Sequence, residues 1–210
     1  MEEMNIRLVS RSCPLCGSTS HTLAHEVAET LTYKHLPDHL KFKVVTCDEC
    51  GLLFVNPRLP KYLIDSLYAG DLYDSWGTNK EYLPKVNLRH DIYHHNLDER
   101  LLAYDRFCDH LEKYDINGTV FELGTGFGYL LDTMRRRGFD VHGVELSRDT
   151  SQFAIDKFGF ENVRCGDFLD LDFVDKQYDL IVLWHVFEHL YYPNRTLIKC
   201  ADMLKSGGVI

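Results

Sequence analysis

The chain has 210 residues, 45% of them hydrophobic and 26% charged, enough for one full domain plus a small appendage. It holds no run of about 18 apolar residues and opens on Met-Glu-Glu-Met-Asn without a basic or apolar leader, so a membrane partner and a secretory signal are not expected. A formal net charge of −9 argues against a nucleic-acid partner, and seven cysteines, four of them in two Cys-x-x-Cys pairs, suit a reducing cytoplasm and a metal better than a disulfide framework.

The first informative segment pairs Cys13-Pro14-Leu15-Cys16-Gly17 with Cys47-Asp48-Glu49-Cys50-Gly51. Each resembles a zinc knuckle, in which two thiolates grip one side of a tetrahedral ion and the following glycine permits the tight turn. Cys13, Cys16, Cys47 and Cys50 together complete a four-thiolate site, which leaves the ion no open position and makes it structural. His21, His25, His35 and His39 lie between the knuckles and are expected at the surface. Val44-Val45-Thr46 and Leu52-Leu53-Phe54-Val55 read as short strands, and Asn56-Pro57-Arg58 ends a zinc ribbon over residues 1–58.

Residues 59–117 read as an aromatic connector followed by a long helix. The connector holds Tyr62, Tyr68, Tyr73, Trp76 and Tyr82 around one short helix near Lys61 to Tyr68, and either packs between domains or covers a pocket, with Tyr68 and Tyr73 the first candidates for a lid. From about Val86 to Tyr114 the apolar residues Leu88, Ile92, Leu97, Leu101, Tyr104 and Leu111 recur at helical spacing, and Ile116-Asn117-Gly118 is expected to stop the helix. His90, His94, His95 and His110 are expected on its solvated side.

Residues 118–210 form the core. Thr119-Val120-Phe121-Glu122-Leu123 is a short apolar run feeding Gly124-Thr125-Gly126-Phe127-Gly128 and then an amphipathic helix from Tyr129, a strand, tight turn and helix in succession. The helix is closed by Gly138, with Arg135-Arg136-Arg137 at the carbonyl end of its dipole. Twenty-three positions after Glu122, Val141-His142-Gly143-Val144-Glu145-Leu146-Ser147 places an acid at the end of a second strand. Gly166-Asp167 follows a third strand, Tyr178-Asp179-Leu180-Ile181-Val182-Leu183-Trp184 is a fourth, and His185-Val186-Phe187-Glu188-His189 comes directly after it. Helices are expected over Ser151 to Phe158 and from Pro193 to about Leu204, with Leu204-Lys205-Ser206-Gly207-Gly208 closing the latter. Strands alternating with helices imply a doubly wound parallel sheet with its ligand at the carboxyl ends of the strands.

In order and spacing, E-L-G-T-G-F-G, G-V-E-L-S, C-G-D-F, Y-D-L-I-V-L-W-H-V-F-E-H-L and L-K-S-G-G resemble a class I S-adenosylmethionine-dependent methyltransferase. A dehydrogenase more often shows Gly-x-Gly-x-x-Gly. The resemblance implies an α/β Rossmann-like methyltransferase sheet preceded by the ribbon, with zinc and S-adenosylmethionine as the bound groups. The family's core has seven strands, whereas four and the start of a fifth are legible here, so the C-terminal strands are expected to lie beyond residue 210. The backbone of Gly124, Thr125, Gly126 and Gly128 is implied to pass along the methionine part of the cofactor, with Glu122 at its amino end. By the same resemblance Glu145, beside Leu146, is implied to take the ribose hydroxyls, Asp167 to accept from the adenine amino group, and Phe168 to supply a backbone contact or a stacking face.

The catalytic candidates are His189, Glu188 and His185, at the mouth of the pocket, with (i, i+4) spacing placing the two histidines on one side. Similar Glu-x-x-Glu-His spacing binds magnesium in a small-RNA methyltransferase family, but here His185 stands at the first position. The acceptor class implied is a small molecule or a sugar or glycan; an RNA-modifying enzyme and a cofactor-binding module without turnover are the alternatives.

Overall fold

The computed structural model describes residues 6–27, 41–69, 96–173 and 177–210. It resolves into two compact units, Met1–Ile64 with Tyr191–Asn194, and Asp65–Leu190 with Arg195–Ile210.

In the first unit, β1 (His21–Val27), β2 (Phe42–Cys47) and β3 (Leu53–Val55) make an antiparallel sheet in the order β1-β2-β3. Val45 and Phe54 are cross-strand partners and pack with Cys13 and Cys47 into the small core of this unit. The two knuckles flank that core, and a sheet this small needs a further tie between its loops. Helix α1 (Lys61–Ala69) follows, its residues from Asp65 on belonging to the second unit.

The second unit is built on β4 (Thr119–Leu123), β5 (Asp140–Glu145), β6 (Val163–Cys165), β7 (Tyr178–Val182) and β8 (Leu204–Val209), all parallel, in the order β6-β5-β4-β7-β8. Helix α2 (Leu97–Lys113) precedes β4, and α3 (Tyr129–Arg136), α4 (Arg148–Phe158) and α5 (Pro193–Met203) run between the strands. Residue alternation along the strands explains the two layers. On β4, Val120 joins Tyr104, Cys108 and Leu111 of α2 and Leu130, Leu131 and Met134 of α3 on one face; Phe121 and Leu123 join Tyr178, Ile181, Cys200 and Met203 on the other. Both faces are thus covered, as a doubly wound sheet requires.

Several boundaries differ from expectation. Helix α4 starts at Arg148 rather than Ser151 because Ser147 caps it, its hydroxyl accepting from Thr150 N–H. Helix α2 ends at Lys113, and the left-handed residue behind it is Asp115 (φ 56°), a residue type that tolerates this conformation, so the stop falls before Gly118. Leu204 to Gly208 is not a helix terminus but most of the fifth strand, β8, which pairs with β7 in shifted register. The segment before Asn96, with His90, His94 and His95, lies outside the described residues, as do Tyr73, Trp76, Tyr82, His35 and His39. The arginine triplet is spent locally. Arg135 and Arg136 pair with Asp132, and Arg137 with Asp105, Asp109 and Glu112 of α2.

Candidate cofactor and metal sites

In the first unit Gly17 N–H donates to Cys13 carbonyl at 2.9 Å and Gly51 N–H to Cys47 carbonyl at 3.0 Å, so each pair of thiols is folded back by the same turn. The turns bring all four Sγ atoms within 4.8 Å of one another, with Cys13–Cys50 at 3.6 Å and Cys16–Cys47 at 3.5 Å. A tetrahedral ion with Zn–S bonds near 2.3 Å separates its sulfurs by about 3.8 Å, so the donor set and its size fit zinc. Of the histidines between the knuckles, His21 is committed elsewhere: Nδ1 faces Thr19 carbonyl and Nε2 faces the Asn56 amide.

In the second unit the strand order reverses between β4 and β7, so the chain leaves these two neighbours in opposite directions and opens a crevice at their carboxyl ends. The parallel register aligns the ends that matter. Glu122 lies beside Gly143 and Val182, and Glu145 beside Cys165, so the turns after β4, β5, β6 and β7 emerge at one edge.

Glu122 is 3% exposed, and among the described residues its Oε2 has no hydrogen-bond partner. Burial, reinforced by the charge of Glu145, pushes its carboxyl well above the ordinary value. Thr125 Oγ1 is likewise buried without a partner. A buried acid with an orphaned oxygen costs stability unless something arrives to meet it. The turn that follows is shaped for close approach. Gly126 has φ 52° and a Cβ there would meet nothing within 4 Å, so its side-chain space is open toward whatever enters.

Glu145 holds this turn. Its Oε2 accepts from Gly126 N–H at 2.8 Å and its Oε1 from Ser147 N–H at 2.9 Å. These two bonds fix the orientation of the carboxylate. Leu146 is half-buried beside it, its carbonyl 3.9 Å from Cys165 Sγ. Asp167 opens the loop after β6 with Oδ1 accepting from Leu169 N–H at 2.9 Å. Phe168 is 6% exposed and packs on Phe121 and Phe173, so its ring belongs to the core.

After β7 the chain differs from a continuing α-helix. His185 stands in left-handed conformation (φ 53°), and Phe187–His189 is one 3-10 turn, after which Leu190 is extended. The (i, i+4) relation of His185 and His189 therefore does not apply. Glu188 joins them instead, with Oε1 3.6 Å from His185 Nδ1 and 3.8 Å from His189 Nε2. Tyr68 packs on His189, ring centroids 5.4 Å apart. Among the described residues the four cysteines are the only cluster of three or more such side chains that could hold a metal ion.

Residues 121–210 match the family described as Methyltransferase domain. Over that stretch the chain is similar to methyltransferase domains. An uncharacterized methyltransferase of Anoxybacillus flavithermus is 30% identical over 93 residues, covering 43% of this chain and 44% of its own length. The mitochondrial ubiquinone biosynthesis O-methyltransferase of Candida albicans is 29% identical over 106 residues, covering 45% of this chain and 31% of its own. The chain thus spans less than half the length of these curated relatives. Among solved structures, the sugar N-methyltransferase KedS8 from Streptoalloteichus sp ATCC 53650 aligns with TM-score 0.49 at 20% identity, over 61% of this chain and 53% of that one.

Two residues around the turn after β4 escaped sequence reasoning. Gly143 lies under the turn after β4, where a Cβ would stand 2.3 Å from Thr125 Cγ2 and 3.0 Å from Glu122 carbonyl; an isolated glycine inside a strand is the signal of such an approach. Ser147 joins the Glu145 carboxylate to the α4 N-terminus, and Ser-x-x-Thr ahead of an amphipathic run could have indicated the cap.

Proposed function

We propose that the full-length protein transfers a methyl group from S-adenosylmethionine to a small-molecule or sugar acceptor, and that a structural zinc in the Cys13, Cys16, Cys47 and Cys50 cluster supports its N-terminal ribbon. The observation carrying the cofactor reading is the orphaned Oε2 of buried Glu122 beside the open turn at Gly126. An ammonium group is the partner that such an acid lacks, and S-adenosylmethionine brings one at its methionine end. Bound at this crevice, it supplies an electrophilic methyl on sulfur. Glu122 receives the ammonium, the Gly124–Gly128 backbone lies along the methionine, Glu145 accepts from the ribose hydroxyls, and Asp167 accepts from the adenine amine.

Transfer requires alignment of acceptor and methyl more than acid or base chemistry. An acceptor that loses a proton needs a base. His189 serves there, with Glu188 Oε1 3.8 Å from its Nε2. The small-molecule reading draws on the acidic balance of the chain, on an arginine triplet already engaged by carboxylates, and on the kinship with a ubiquinone-pathway O-methyltransferase. The test is calorimetric titration of the full-length protein with S-adenosylmethionine, followed by methyl transfer onto a panel of phenols, quinols and nucleotide sugars. Absence of cofactor binding would refute the reading, and binding without transfer to any of them would refute its acceptor class.

A further inference from the structure

We propose that Lys199 is a positioning residue for the adenine end of the cofactor site, acting through the turn that carries Asp167. The inference rests on the reading of Asp167 as acceptor for the adenine amine.

Asp167 starts a single helical turn. Its Oδ1 accepts from Leu169 N–H, and its carbonyl accepts from Asp170 N–H at 3.1 Å and Leu171 N–H at 3.2 Å. One turn cannot satisfy its own trailing carbonyls, which need partners from outside. Lys199 provides them. Its Nζ lies 2.6 Å from Phe168 carbonyl and 3.4 Å from Leu169 carbonyl, and it also donates to Leu171 carbonyl. Three donors of one ammonium meet three carbonyls of one turn, a convergence that a tetrahedral ammonium achieves and a planar guanidinium does not.

The lysine is itself fixed. It projects from α5, whose neighbouring Cys200 and Met203 are 0% and 5% exposed in the same core cluster as Phe168. Its Nζ stands 4.9 Å from the Phe168 ring centroid and 5.4 Å from that of Phe173, so ammonium and rings form one packed unit beneath the turn. A surface lysine contributes little to any structure. This one pins the carbonyl end of a turn whose other end is the Asp167 carboxylate, and so fixes where that carboxylate points.

A purely structural lysine would weaken every ligand alike; a positioning lysine weakens those that use Asp167. The full-length protein is titrated calorimetrically with S-adenosylhomocysteine and S-inosylhomocysteine, which differ in the amine that Asp167 receives. Asp167→Asn should abolish the preference for the adenosine form. Lys199→Met, which keeps the apolar stem on the two rings, should lower affinity for S-adenosylhomocysteine roughly tenfold, a coupling of the size seen within one contact network, and leave S-inosylhomocysteine nearly unchanged. Lys199→Gln carries the same test should the methionine variant not fold. If Asp167→Asn loses the preference while the Lys199 variant keeps it, or loses both ligands by one factor, the positioning role is overturned and the Asp167 reading stands. If Asp167→Asn keeps the preference, both fall.

Discussion

Replacing Glu122 by Gln separates stability from binding at the cofactor corner. The carboxyl is 3% exposed, its Oε2 is unmet, and burial raises its pKa well above the ordinary 4.5. The folded state therefore holds the proton more tightly than the unfolded one. Its contribution to stability is fully present below the unfolded value near 4.5 and is lost as pH rises toward the raised folded value. An amide of the same shape removes that cost. At neutral pH the ligand-free Glu122→Gln protein should be more stable, by about 1.4 kcal/mol for each pH unit above the unfolded value up to the raised folded one, and the advantage should vanish as pH falls through the carboxylate range. Binding should move the other way. A hydrogen bond to a charged group is worth about 1.5–3 kcal/mol, so S-adenosylmethionine affinity should fall roughly tenfold to a hundredfold. Thermal denaturation across pH reads the first effect and calorimetry the second. A variant that is less stable at neutral pH, or that binds the cofactor as tightly as wild type, refutes the assignment of an ammonium partner to Glu122.

Metal analysis of the full-length protein should find one zinc, and Cys47→Ser should lose it and destabilise the ribbon unit; less than about half an equivalent, with unchanged stability in the variant, would remove the zinc site. Glu145→Ala should weaken S-adenosylmethionine binding by about 1.5–3 kcal/mol for each ribose bond lost, and unaltered affinity by calorimetry would end the ribose role. His189→Ala should lower turnover roughly 10²–10⁴-fold with cofactor affinity nearly intact, whereas equal loss of cofactor binding would identify a structural residue.

The order of strands was legible because each carries its own signal. Val120 to Leu123 and Leu180 to Val182 are apolar runs buried on both sides, and Gly-x-Gly-x-Gly could follow such a run only as a strand-to-helix turn. Boundaries were less legible where a single side chain decides them. Ser147 starts α4 three residues early through one hydroxyl bond, and Asp115 stops α2 by entering a conformation usually left to glycine. The two glycines of Leu204 to Gly208 argued for a terminus, yet Leu204 pairs with Tyr178 and Val209 with Leu180, because an edge place in the sheet outweighs local preference.

The site divides along the same line. Residue types at strand ends are local facts, so Glu122, Glu145 and Asp167 could be named from the chain alone. What each acid is bonded to is not local. Glu145 reaches Gly126, nineteen positions back, and Lys199 reaches Phe168, thirty-one positions back, across contacts that only the folded sheet creates. A lysine on an amphipathic helix reads as part of a solvated face until its helix is seen to lie beneath the Asp167 turn. The His185–His189 segment shows the converse. Its residues were identified, but their relation was inferred from α-helical spacing, and one positive φ at His185 redirected them so that Glu188 rather than the helix period brings the two histidines together. Sequence thus names the groups that can do chemistry, while the backbone between them decides which meet.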